Sequence, residues 1–152
     1  MLTGIKANAL TPDQFHSLRE GCDLKPLEHE LVERALKRSL LTLLAEADGK
    51  AVGAARLVGD GALMAVLCDV MVLPEYRRRG IGGAMITAAL DRIAFEMPEG
   101  RWATVMLTCL GERMDYYKKF GFRPFDGEIV EQRAMFAFVK GASAIDTDGG
   151  TV

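Results

Sequence analysis

Residues 63–73 form an apolar run broken only by Asp69, and the chain then passes through a proline- and glycine-containing turn into a long helical pattern. A run of that composition reads as a central strand covered on both faces, because a half-buried strand would alternate polar and apolar residues. From Gly80 onward Ile81, Met85, Ile86, Ala89, Leu90, Ile93 and Met97 recur at helical spacing, and Pro98 closes the pattern. A buried strand that feeds directly into a sheet-covering helix commits the chain to a mixed α/β fold.

The rest of the sequence fits around that unit. Residues 3–10 read as a short strand, and Thr11-Pro12-Asp13 supplies an N-cap, a first-turn proline and an early acid for a helix reaching about Glu20. Residues 27–38 form a second amphipathic stretch. Segments 39–47 and 51–58 are apolar and are joined by the turn signal Asp48-Gly49-Lys50, which predicts an antiparallel hairpin. Gly59-Asp60-Gly61 turns the chain again. Residues 102–109 are of β type, 111–120 read as a short helix ended by Gly121, and 135–139 read as a last strand.

The chain of 152 residues, 49% hydrophobic and 26% charged, is expected to be one domain over 1–140, with a flexible Gly/Ser/Thr/Asp-rich tail over 141–152. A net charge of −2 gives no general attraction to nucleic acid or to an anionic membrane surface. Cys22, Cys68 and Cys109 are odd in number and lack CxxC spacing, which suits reduced thiols, and His16 and His29 lack ligand spacing, so no metal is expected. With no signal-like amino terminus and no long apolar window, the expectation is a cytoplasmic protein.

The turn carries the chemistry. In Leu73-Pro74-Glu75-Tyr76-Arg77-Arg78-Arg79-Gly80-Ile81-Gly82-Gly83, small residues coincide with the first turn of the helix. Amides at a helix N-terminus lack intrahelical acceptors, the dipole favours negative charge there, and glycines let a phosphate approach the backbone. A pyrophosphate is the natural guest. The alternative is a turn merely tightened by glycine, with the three arginines as a solvated face. The spacing is neither GxxxxGK[ST] nor GxGxxG, which withdraws support from nucleoside triphosphates and nicotinamide cofactors.

The stretch 70–82 resembles the Arg/Gln-x-x-Gly-x-Gly/Ala signature of the GNAT superfamily of N-acetyltransferases, with Arg77 opening the motif and Gly80 and Gly82 in the glycine places. Tyr116-Tyr117-Lys118-Lys119-Phe120-Gly121-Phe122 is similar to the same family's Tyr-x-Lys-x-Gly-Phe segment. The resemblance spans roughly residues 40–125. It implies a central, twisted, mostly antiparallel mixed sheet of six to seven strands flanked by about four helices. It also implies acetyl-CoA as cosubstrate. Its pyrophosphate would lie on amides of Arg78, Arg79, Gly80, Ile81, Gly82 and Gly83, and its pantetheine arm along the backbone of Val70, Met71 and Val72. Lys118 and Lys119 would either form a solvated helix face or, Lys119 foremost, reach the phosphates of the nucleotide end. Tyr117 matches the tyrosine that donates a proton to the departing thiolate, with Tyr116 beside it as a core aromatic.

The reaction also needs an acceptor for the ammonium proton. Asp69 is the only charge in its strand and is the candidate base, with a structural ion pair to Arg56 as the competing explanation and a water relay also open. Cys68 reads as core rather than as a nucleophile. The expected acceptor is a small-molecule primary amine attacking the thioester directly. Acetylation of a protein amine and a catalytically idle acyl-CoA-binding module are the alternatives. The fold leaves a homodimer open.

Overall fold

The computed structural model describes residues 2–124 and 132–140, which form two compact units: residues 2–58 with 67–89, and residues 59–66 with 90–124 and 132–140. Among the described residues there are seven strands and four α-helices, in agreement with the expected mixed α/β class. Strand β4 (Met64–Val72) and helix α3 (Ile81–Glu96) contribute residues to both units.

In the first unit the strands are ordered β1 (Leu2–Ala7), β2 (Leu41–Ala47), β3 (Lys50–Gly59), β4. The β2–β3 hairpin turns on Asp48 and Gly49, whose φ values of 50° and 77° are both left-handed, as a two-residue primed turn requires. Helix α1 (Pro12–Gly21) opens with a full capping box. The Thr11 hydroxyl accepts from the Gln14 amide at 3.3 Å, and the Thr11 amide donates to the Gln14 side chain at 3.0 Å. Helix α2 (His29–Lys37) buries Val32. One core cluster gathers Leu10, Phe15 and Leu18 of the α1 region, Val32, and Leu44, Ala54 and Met71 of the strands. Gly53 permits this packing, since a Cβ there would lie 2.9 Å from the Met71 carbonyl oxygen.

In the second unit Asp60 organises the turn into β4, accepting backbone N–H groups from Ala62 and Leu63 at 2.8 Å and from Met64 at 3.1 Å. These bonds favour the ionised carboxyl and lower its pKa. Met64–Val66 pairs in parallel with β5 (Trp102–Leu110), and β5 pairs antiparallel with β7 (Gln132–Lys140), which also pairs with the two-residue β6 (Arg123–Pro124). Ala103, Val105, Leu107 and Cys109 alternate inward along β5. A 3-10 turn leads into the short helix α4 (Met114–Lys118).

Strand β4 is not covered equally on its two faces: Ala65, Leu67 and Met71 are buried, while Val66, Cys68, Val70 and Val72 are only half-buried. Aliphatic residues on the second face conceal this difference from a reading of composition. Strand β6 was not expected, because two residues that include a proline carry no β pattern. The tail expected at 141–152 lies wholly outside the described residues. No helix among the described residues is long and apolar enough to cross a membrane.

Candidate active site

Between β4 and α3, Pro74–Tyr76 forms one 3-10 turn, and Arg78 and Gly80 then take φ values of 61° and 81°. Two left-handed residues so close together curl the backbone just ahead of the helix. The Ala84 amide donates to the Gly80 carbonyl at 2.9 Å and closes the first helical bond. The amides of Ile81, Gly82 and Gly83 therefore belong to the first turn, where no intrahelical acceptor exists. No acid occupies that turn, so nothing in it offsets the positive end of the helix dipole. A Cβ built on Gly80 would meet nothing within 4 Å, so the space beside Gly80 is open. The cradle fits a phosphate group.

The three arginines differ in what they do. Arg77 donates from Nε to the Val72 carbonyl at 3.0 Å. Arg79 donates from Nη2 to the Glu75 carbonyl at 2.8 Å and lies 5.3 Å from the centre of the Tyr76 ring. Both are tied to the backbone of the turn or of the strand before it. Arg78 is exposed and sits at the left-handed corner. The three β4 residues expected beside the cofactor follow at once upstream: Met71 is in the core, and Val70 and Val72 are half-buried.

Tyr117 and Lys119 belong to the second unit. Tyr117 is buried on α4, with its ring edge-on to Tyr116 at 5.3 Å and to Phe122 at 6.1 Å. Its phenol is pushed up to about 12, first by burial and then by the neighbouring Cys109 and Tyr116, with Arg113 pulling the other way. The hydroxyl is therefore protonated throughout the physiological range. Tyr116, expected in the core, is instead 38% exposed. On a helix of five residues, consecutive tyrosines point to different sides, and nothing local decides which one turns inward. Lys119 is exposed just past the end of that helix, whereas Lys118 pairs with Asp115 at 2.8 Å.

Asp69 lies in the first unit with its backbone at φ 51°, a left-handed aspartate inside a strand. Its Oδ2 accepts from Arg56 Nε at 2.6 Å, and Arg19 Nη1 stands 3.9 Å from Oδ1. Arg56 Nη1 continues the network to Ser39 Oγ at 3.1 Å and the Ala35 carbonyl at 3.4 Å. The Arg56 pairing is the partner the lone strand charge suggested. Arg19 was missed, because an arginine on an amphipathic helix looks solvated until the helix is docked. Asp69→Ala should leave two guanidinium groups without their carboxylate and lower the unfolding free energy by about 1–3 kcal/mol. The side chains are 16% and 20% exposed, which keeps the loss below that of a fully buried pair. Urea unfolding at unchanged m-value checks it.

Cys68 next to it is a poor nucleophile: burial, then the Asp69 charge, push its thiol up to about 11. At pH 8 its alkylation by iodoacetamide should run about 10²-fold slower than that of a small free thiol, read by mass spectrometry of the folded protein.

The sequence profile of the acetyltransferase (GNAT) domain matches residues 38–124. An uncharacterized N-acetyltransferase of Escherichia coli is 34% identical over 105 residues, 64% of this chain and 54% of that protein, so the chain spans about half the length of that curated relative. A solved GNAT family acetyltransferase from Streptococcus pneumoniae is 28% identical at a TM-score of 0.67, covering 86% of this chain and 97% of the other. The PaiA N-acetyltransferase of Thermoplasma acidophilum, solved in complex with coenzyme A, has the same fold at 18% identity and a TM-score of 0.67, covering 88% of this chain and 98% of the other.

Proposed function

Because this chain belongs to the GNAT acetyltransferase family, we propose that it transfers the acetyl group of acetyl-CoA to a primary amine of a small molecule. The observation that carries this reading is the turn in which left-handed Arg78 and Gly80 leave the first-turn amides of α3 open to an anion. Acetyl-CoA, when bound, supplies the thioester carbonyl that the amine attacks.

The chain's own residues divide the remaining work. Amides from Arg78 to Gly83 hold the pyrophosphate, and the β4 backbone at Val70 to Val72 aligns the pantetheine arm. Lys119 is the cation for the nucleotide end. The Tyr117 hydroxyl offers a proton to the sulfur as the carbon–sulfur bond breaks. A phenol raised to about 12 is a weaker acid than an alkyl thiol, so full proton transfer is uphill and Tyr117 acts as a hydrogen-bond donor to the growing charge more than as a strong acid. Asp69, engaged by Arg56, serves as a positioning group, and the ammonium proton leaves through water.

The test is thiol release from acetyl-CoA across a panel of small amines, with the product identified by mass. Amine-dependent release supports the reading. Tight acetyl-CoA binding with no release from any amine or peptide would instead make the chain an acyl-CoA-binding module.

A further inference from the structure

In the first unit, α1 and α2 enclose with β3 and β4 a cavity of about 160 Å³ whose floor is Arg56 and Asp69. Its walls are apolar, with Phe15 from α1 and Leu27, Leu31 and Val32 from the α2 region among the lining residues. Leu27 and Leu31 are 46% and 48% exposed, so apolar side chains rim an opening to solvent. A cavity of this size lined by such groups takes a body about as large as benzene, which binds in an engineered apolar cavity of roughly 150 Å³.

The floor selects the charge of the guest. Arg56 lines the cavity, and Arg19, outside the lining, stands 3.9 Å from the same Asp69 carboxylate, so two guanidinium groups share one carboxylate and leave net positive charge around the floor. Both guanidiniums lie against the Phe15 ring, 5.9 and 5.8 Å from its centre. Arg56 uses Nε and Nη1 for Asp69, Ser39 and Ala35, and its Nη2 makes no hydrogen bond among the described residues. No buried side-chain nitrogen or oxygen among those residues lacks a partner, so this Nη2 is accessible and keeps donors to spare. An ammonium group would meet repulsion there, whereas a carboxylate would find a charge-assisted donor.

From these contacts we infer that the cavity binds a small carboxylate with an apolar or aromatic body. Resting on the transferase reading, the acceptor is an amine that also bears a carboxylate, with its acid and apolar group held here. Asp69 directly precedes Val70, so the floor and the strand assigned to the cofactor arm are consecutive residues of β4.

Phenylacetate and benzylamine, equal in body and opposite in charge, separate the possibilities when titrated into the full chain without coenzyme and followed by ligand-observed NMR. The expected result is saturable binding of phenylacetate, with benzylamine at least 10-fold weaker. Ala35→Phe, which fills the cavity, should abolish binding. Leu31→Glu, at the exposed rim, should weaken phenylacetate at least 10-fold and serves if the first variant unfolds. Absence of phenylacetate binding, equal binding of the two probes, or binding unaffected in folded Leu31→Glu overturns the inference. Thiol release is then compared for phenylalanine and 2-phenylethylamine. Phenylacetate binding with no transfer to any amine supports the pocket and overturns the transferase reading. Transfer to phenylethylamine in preference to phenylalanine overturns the pocket's role and leaves the transferase standing.

Discussion

Gly82→Trp should lower the affinity for acetyl-CoA by at least 10²-fold while the protein remains folded. Gly82 sits in the first turn of α3, among the amides assigned to the pyrophosphate. An indole there puts an apolar ring where the phosphate oxygens would lie. It also blocks the approach that glycine permits and leaves the helix dipole facing a group with no charge. A 10²-fold loss is about 2.7 kcal/mol, a modest share of what several charge-assisted bonds to one anion can supply. Titration calorimetry reads the loss, and thermal unfolding of the variant shows that the fold persists. Retained affinity would place the pyrophosphate elsewhere.

Tyr117→Phe should lower the maximal rate by about 10²-fold and leave acetyl-CoA affinity unchanged. The substitution removes one oxygen and keeps the ring that packs against Tyr116 and Phe122, so the fold has little reason to change. A rate loss without an affinity loss marks an interaction made in the transition state. The pH dependence adds a second readout. With its phenol raised from 10 to about 12, the folded protein keeps a proton that the unfolded chain loses first. The stability this group confers is fully present below pH 10 and falls as pH rises from 10 to 12, by about 2–3 kcal/mol. Tyr117→Phe should remove that part of the alkaline loss. An unchanged rate in the variant would dismiss the hydroxyl from the chemistry.

Much of this was legible in the sequence, for identifiable reasons. The strand, turn and helix around Gly80 announce themselves because helical spacing begins where glycines cluster, and the left-handed φ of Gly80 is the conformation glycine is there to supply. The Asp48-Gly49 hairpin and the Thr11 cap are equally local signals, carried by two to four adjacent residues. Features that depend on docking were not legible. Arg19 meets Asp69 only once α1 lies on the sheet. The choice between Tyr116 and Tyr117 is made by what surrounds α4. The left-handed backbone of Asp69 has no sequence marker at all, since any aspartate in an apolar run looks the same until its φ is known. The acceptor cavity belongs to this second class, for its walls come from segments far apart in the chain.

Every role proposed for this protein depends on whether the curled turn before α3 holds a pyrophosphate. Calorimetric titration with acetyl-CoA, beside S-acetylpantetheine, which carries the same thioester and arm without the nucleotide or pyrophosphate, tests it most directly. The expected result is micromolar binding of acetyl-CoA, with S-acetylpantetheine weaker by at least 10²-fold. Equal affinity for the two, or no binding of acetyl-CoA to folded protein, would contradict it and remove the basis for the transferase reading.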